Sequence, residues 1–163
     1  MGMRCSLVEL GKDQIDKLLA DPENVFDYLD ELEENEEVGG ADLDKAWHGI
    51  HFLLTGSVWN GAEPLCYLIK GGEVIGTEDD WAWLLRPNQI ADWANALSTI
   101  SADDLRKRYD PMAMAKADIY PSIWDHVDEE QGKLEYLLDH YEVLRSFLDQ
   151  TKKENKGAII FIA

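Results

Sequence analysis

The chain has 163 residues, of which 45% are hydrophobic, and it carries a formal net charge of -18. This length and composition fit one globular domain, which we take to span residues 1–163. The charge disfavours nucleic acid as a partner, because phosphates are repelled and no basic stripe is present. No apolar run approaches the roughly 18 residues of a membrane span, and the N-terminus lacks the features of a signal peptide. We therefore expect a cytoplasmic protein that contacts no membrane.

The first elements along the chain are a strand at residues 3–9, a helix that ends before Pro22, and a second helix that starts there. The second helix turns apolar residues inward, whereas its outer face is acidic and holds no lysine or arginine. The acidic residues are Asp21, Glu23, Asp27, Asp30, Glu31, Glu33, Glu34, Glu36 and Glu37. Such a run is either a solvated face or a docking surface for a cationic partner, with Glu33, Glu34, Glu36 and Glu37 as its candidate binding residues.

A central helix is predicted over residues 42–56, with Asp42 as its N-cap and Gly56 as its left-handed end. Its apolar stripe consists of Leu43, Trp47, Ile50 and Leu54. Gly49 interrupts this helix, which suggests that a neighbouring element packs closely there.

Along one edge of the stripe the helical spacing aligns Asp44, His48, His51 and Thr55. Three interpretations of this column remain open. Asp44, His48 and His51 are candidate metal ligands, although the spacing is not that of a metalloprotease. His51 is a candidate general base, oriented by Asp44 or Thr55. The third interpretation is that His51 is a buried histidine bonded to Thr55 or to a backbone carbonyl.

The loop after Gly56 contains an Asn-Gly turn and Trp59, which either packs on the core or forms the wall of a pocket. The run 71–76 is predicted to be a glycine-rich turn. It lacks the Gly-Lys-Ser/Thr of a phosphate-binding loop and the spacing of a dinucleotide fingerprint.

In the second half, residues 81–85 alternate as a strand, and Pro87 begins a helix. Ser101 and Asp104 have the spacing of a capping box. The loop 120–126 is a second candidate site wall, with Tyr120 and Trp124 as candidate binding residues.

A long helix is predicted from about Asp128 to Asn155, followed by a continuous apolar strand at 158–162. We expect this strand in the middle of the sheet, paired with the first strand and flanked by 81–85. The fold class is therefore α+β, with several helices packed around a small, mostly antiparallel sheet of about three strands.

Several stretches make the sequence similar to a known family. The run Asp-x-Asp-Lys-x-Trp-x-x-x-His-Phe-x-Leu-Thr-Gly from Asp42 resembles the YfbM-like family, a group of small bacterial proteins described as a domain of unknown function. Pro64-Leu65, Gly71-Gly72 and Ile119-Tyr120-Pro121 extend the resemblance over nearly the whole chain. It implies an α+β single-domain fold in a bacterial cytoplasm and carries no activity.

The leading functional hypothesis is a non-catalytic binding module, immunity-type or regulatory, whose acidic face meets a basic protein. The alternative is a small-molecule or metal-assisted enzyme, with a pocket between the central helix, Trp59 and Tyr120. We predict no cofactor, and we make no prediction about the oligomeric state. Cys5 and Cys66 are expected to be reduced, small core residues.

Overall fold

A computed structural model describes residues 2–126 and 130–163. In these ranges five strands form one antiparallel sheet: β1 (Cys5–Leu10), β2 (Gly40–Asp44), β3 (Glu73–Gly76), β4 (Trp81–Leu85) and β5 (Gly157–Ile162). Their spatial order is β2-β1-β5-β4-β3. β5 is therefore the central strand, between β1 and β4, as its continuous apolar sequence predicts.

Seven α-helices lie in the same ranges. They are α1 (Lys12–Ala20), α2 (Val25–Glu34), α3 (Trp47–Thr55), α4 (Pro87–Ser98), α5 (Ala102–Arg108), α6 (Pro111–Lys116) and α7 (Glu130–Lys153). A single 3₁₀ turn, Pro22–Asn24, joins α1 to α2. The predicted capping box of α5 is confirmed, since Ser101 and Asp104 each bond the other's backbone N–H.

Both faces of the central strand are covered, because its residues alternate between two cores. Ala158 and Ile160 face one core, which α3 to α7 complete. Ile159 faces the other core, where α1 and α2 contribute Ile15, Leu18, Val25, Leu29 and Leu32. The sheet is thus the middle of three layers. In the described ranges no helix is long and apolar enough to cross a membrane.

The sheet has more strands than the sequence predicted. The two additional strands, β2 and β3, are the edges of the sheet. Neither has the apolar alternation of a core strand, and β3 replaces part of the turn predicted at 71–76. β3 forms because each of its residues pairs with a residue of β4, from Glu73 opposite Leu84 to Gly76 opposite Trp81.

The central helix is shorter than predicted. It begins at Trp47 rather than near Asp42, and residues 40–44 form β2 instead. Gly56 does end the helix in the left-handed conformation, with φ of 70°. The close neighbour predicted at Gly49 is α7, because a Cβ at this position would lie 2.7 Å from Cδ2 of Leu137. The predicted start of the long helix at Asp128 lies outside the described residues.

Candidate functional site

Asp44 does not share a helix face with the two histidines. It is the last residue of β2, and its φ of 48° turns the chain before α3 begins. Asp42, the predicted N-cap, accepts a hydrogen bond from the Asp44 N–H (2.7 Å) and pairs with Arg4 (2.8 Å). The capping position of α3 is occupied by Ala46. The column predicted from Asp44 to Thr55 is therefore wrong for Asp44, because the aspartates are used in a turn and in a contact with β1.

His48 is buried and uses both of its ring nitrogens. The Tyr120 backbone N–H donates to Nδ1 (2.9 Å), and Nε2 lies 2.9 Å from the carbonyl oxygen of Val58. Since Nδ1 accepts, the proton of the neutral ring is on Nε2, which donates to Val58. Burial lowers the pKa of His48. This histidine therefore ties α3 to two loops as a neutral ring.

The loops around His48 bring four rings into one stack. Trp47 lies 5.0 Å from His48 and 5.6 Å from Tyr120 between ring centroids, and Trp59 lies 4.4 Å from His48. The Trp47 indole donates to the Met3 carbonyl (3.0 Å), and the Met3 N–H donates to the Tyr120 hydroxyl oxygen (2.8 Å). Trp59 and Tyr120 thus both pack on the central helix, Trp59 on the His48 ring and Tyr120 on the Trp47 ring.

His51 has no exposed surface. Its Nε2 lies 3.3 Å from the Thr55 hydroxyl, which itself donates to the His51 carbonyl at 2.9 Å. Burial lowers the pKa of His51 to about 4, with a smaller contribution from His48, while the backbone of Asn60 opposes this shift. Nδ1 has no partner of hydrogen-bonding geometry among the described residues. A reaction at His51 would first require this ring to become accessible.

Trp124, a predicted wall residue, is buried in the core, where its indole donates to the Ile119 carbonyl at 2.7 Å. It therefore offers no surface to a ligand. Across residues 2–126 and 130–163, no three histidine, cysteine or acidic side chains are placed to hold a metal ion. Asp44, the third predicted ligand, binds Arg4 and Tyr136 instead.

A cleft of about 730 Å³ that was not predicted from the sequence lies beside Asp44, between β2, α7 and the loop after Tyr120. It is lined by Asp44, Lys45, Pro121, Ile123, Gly132, Lys133 and Tyr136. The spacing of Lys133 and Tyr136 on one helix face was a signal, but only the fold places Asp44 opposite them.

The polar groups of this cleft bind one another. The Tyr136 hydroxyl donates to Asp44 (2.7 Å) and accepts from the Lys45 N–H (3.1 Å). The hydrogen bond from the Tyr136 hydroxyl and the charge of Arg4 lower the pKa of Asp44. Burial and the hydrogen bond to Asp44 raise the pKa of Tyr136 to about 12. The Lys133 ammonium donates to the His126 carbonyl. Asp44 therefore stays ionised and Tyr136 neutral at neutral pH.

The acidic surface is the third candidate, and we define it as the nine carboxylates predicted on residues 21–37. All nine residues are exposed, including Glu33, Glu34, Glu36 and Glu37. Among the described residues none of the nine is in an ion pair. At the edge of this surface, the Lys17 ammonium lies over the Tyr28 ring, 4.9 Å from its centroid.

Three comparisons place the chain among known proteins. A family model described as a domain of unknown function, DUF1877, matches residues 1–161. The protein YfbM of Escherichia coli (strain K12) is 25% identical over 173 residues, with 99% of each chain covered. The crystal structure of YfbM from Escherichia coli, described as a protein of unknown function, has a TM-score of 0.78 at 22% identity. That match covers 98% of this chain and 99% of the other, and it shows a shared fold.

Proposed function

The chain belongs to the DUF1877 family, and for this member we propose a non-catalytic binding module that docks a basic protein on its acidic surface, in an immunity-type or regulatory role. The observation that carries the proposal is the set of nine exposed carboxylates, none of them in an ion pair among the described residues. Other carboxylates of the chain do have cationic partners. Arg4 pairs with Asp42 and Asp44, and Lys156 pairs with Glu9.

The fold gains little from these carboxylates. α2 is held to the sheet by its apolar face, where Val25, Leu29 and Leu32 are buried. On its outer face, Asp30 lies three and four residues before Glu33 and Glu34, a spacing at which like charges destabilise a helix by about 0.2–0.5 kcal/mol per pair. Glu33 and Glu34 also lie at the negative end of the helix dipole. A cationic partner would offset these costs.

Charge complementarity also speeds association. A surface of one sign raises the local concentration of an oppositely charged partner and accelerates its encounter. The whole chain adds to this field, because its net charge is -18. The effect is screened by salt, which provides the test.

The test is affinity capture from lysate with three forms of the chain, at about 50 mM and about 500 mM salt. They are the wild type, a variant in which Glu33, Glu34, Glu36 and Glu37 are changed to glutamine, and a control in which Asp92, Asp103, Asp139 and Asp149 are changed to asparagine. The control residues are exposed on α4, α5 and α7, so the two variants lose equal charge on different surfaces. We expect that, at low salt, the wild type and the control capture a basic protein and the glutamine variant does not. An empty capture, or equal capture by all three forms, would contradict it.

We propose the cytoplasm as the compartment of this protein. Cys5 and Cys66 are buried and form no disulfide. Thiols persist in this state in a reducing compartment.

A second candidate function is small-molecule binding in the cleft beside Asp44. Its volume of about 730 Å³ lies in the range of small-molecule sites, and this supports the idea. The test is a metabolite screen by thermal shift. A stabilising compound should lose its effect in Ile123→Trp, which fills the cleft, and keep it in Met112→Ala, an exposed change on α6. A screen without any stabilising compound would count against this function.

A further inference from the structure

The hairpin of β3 and β4 presents an apolar face that the helices leave uncovered. Val74 lies directly opposite Trp83, and Gly76 opposite Trp81, so these residues share one face of the sheet. The same face at Leu85 is covered by the core of α3 to α7. Toward β3, the edge strand, the helices no longer cover this face, since Val74 is 64% exposed and Trp81 is 43% exposed. Exposed large side chains on one small patch are typical of interaction sites.

The two tryptophans form one wall of a cleft of about 500 Å³, which Val74, Gly76, Thr77 and Glu78 complete. Their rings meet edge to face, with centroids 4.6 Å apart and planes at 80°. Gly76, with φ of 119°, has no side chain to fill the space opposite Trp81. The partly exposed Trp81 and the acidic residue Glu78 therefore line the same cleft.

The surroundings of the cleft are acidic. Residues 71–85 contain Glu73, Glu78, Asp79 and Asp80 and no lysine or arginine. Glu73 pairs with Arg86 at 3.2 Å, whereas Glu78, Asp79 and Asp80 are exposed and in no ion pair among the described residues. β3 also contacts the turn Pro22–Asn24, where the acidic surface begins. That surface belongs to the layer of α1 and α2 on the opposite face of the sheet, so the local negative charge of the cleft comes from the hairpin turn 78–80.

We propose that this cleft binds an arginine side chain of the basic protein, an inference that rests on the proposed function. Tryptophan is the side chain whose ring face attracts cations most strongly. The planar guanidinium stacks on aromatic faces and is more weakly hydrated than an ammonium group, so arginine suits the cleft better than lysine. Glu78 at the rim of the cleft accepts hydrogen bonds from the guanidinium N–H groups, and the exposed carboxylates of Asp79 and Asp80 add negative charge beside it.

The experiment titrates the ¹⁵N-labelled full chain with a peptide of alternating arginine and glycine. Its counterpart with citrulline in place of arginine keeps the shape and loses the charge. The indole N–H signals of Trp81 and Trp83 should shift with the arginine peptide and stay in place with the citrulline peptide. Equal shifts with both peptides would show an apolar site and overturn the proposal. Shifts that follow protein concentration without peptide would show self-association of the hairpin and overturn it as well.

Variants assign the binding to the cleft. Trp81→Leu, which keeps an apolar side chain but removes the indole, should weaken binding of the arginine peptide about three- to tenfold. Glu78→Gln should weaken it about two- to threefold and make it less sensitive to salt. Met112→Ala removes another exposed apolar side chain, outside the cleft, and should leave binding unchanged. Unchanged affinity in Trp81→Leu would refute the proposal, and the conservative variant Glu78→Gln keeps this test valid if the tryptophan variant does not fold.

The two proposals can fail separately. The glutamine variant of the acidic surface tests the proposed function, because its carboxylates lie outside the cleft. If that variant loses the captured protein while Trp81→Leu retains it with full affinity, the proposed function stands and the arginine cleft is wrong. If no basic protein is captured but the indole signals still respond to arginine alone, the cleft is correct and the proposed function is wrong.

Discussion

At the residue scale, His48 and His51 are both buried in the core. The sequence aligned them on α3, and this alignment is correct because it depends only on helical spacing. Their partners could not be predicted in the same way. Val58 and Tyr120 reach His48 from two loops, one of them 72 residues away. Such long-range contacts depend on the fold and leave no local pattern.

The buried ring of His51 predicts a loss of stability in mild acid. Its pKa is about 4 in the folded chain and about 6.5 when unfolded, so below pH 6.5 the unfolded state binds the proton and gains population. From about pH 7 to about pH 5, the wild type should lose about 2 kcal/mol more unfolding free energy than His51→Gln. Urea titrations at the two pH values measure this difference.

The control is Met112→Ala, an exposed change on α6 that removes no titratable group and should leave the pH dependence of the wild type unchanged. If His51→Gln had the same pH dependence as the wild type, His51 would be accessible to protons in the folded chain.

Removal of the Tyr136 hydroxyl should also lower the stability of the chain. This hydroxyl bridges Asp44 and the Lys45 N–H, so Tyr136→Phe leaves the Lys45 N–H without its partner and Asp44 with Arg4 alone. The free energy of unfolding should fall by about 1–2 kcal/mol. Tyr28→Phe is the matched control, because its hydroxyl has no hydrogen bond among the described residues, and a loss below about 0.5 kcal/mol is expected. Equal losses in the two variants would contradict the role of the bridge.

At the element scale, the sequence predicted the elements whose pattern is local. The strands predicted at 3–9, 81–85 and 158–162 are observed at 5–10, 81–85 and 157–162, and most helices and the left-handed end at Gly56 follow from periodicity and caps. The pairing of the first and last strands is also confirmed. The edge strands β2 and β3 were missed, because their glycines and acidic residues have low strand propensity and only their partner strands make them extended.

Substitution of glycine by alanine should have opposite effects on stability at two positions. At Gly157, the first residue of β5, a Cβ would collide with the Leu85 carbonyl oxygen of the neighbouring strand. Gly157→Ala should therefore destabilise the chain by about 1–3 kcal/mol. At Gly132 in α7 a Cβ meets nothing within 4 Å, so Gly132→Ala should stabilise it by about 0.5 kcal/mol. Denaturant unfolding measures both changes, and a neutral Gly157→Ala would show that β4 and β5 are not packed this closely.

At the scale of the whole molecule, the dominant feature is the formal net charge of -18. Because the carboxylates of the acidic surface repel one another, changing Glu33, Glu34, Glu36 and Glu37 to glutamine should stabilise the chain by about 0.5–1 kcal/mol at low ionic strength. The gain should vanish at high salt. The asparagine control at Asp92, Asp103, Asp139 and Asp149 should gain less, since Asp103 pairs with Arg106. A destabilised glutamine variant would mean that these carboxylates hold the fold together.

The candidate sites differ in how far the sequence could predict them. The acidic surface was predictable, because a run of like charges stays exposed in almost any fold. The cleft beside Asp44 was not, since it needs β2, α7 and the loop after Tyr120 together. The uncovered face of Trp81 and Trp83 depends on where the helical layer ends, which no local pattern encodes.

The most direct measurement of the central claim is the rate constant of association between the chain and the basic protein it captures, followed from about 50 mM to about 500 mM salt. For the wild type and the asparagine control, the rate constant should fall steeply as salt rises. At low salt the glutamine variant should associate about tenfold more slowly or worse, with a weak salt dependence. A rate constant that is the same in all three forms and indifferent to salt would show that the acidic surface does not guide binding.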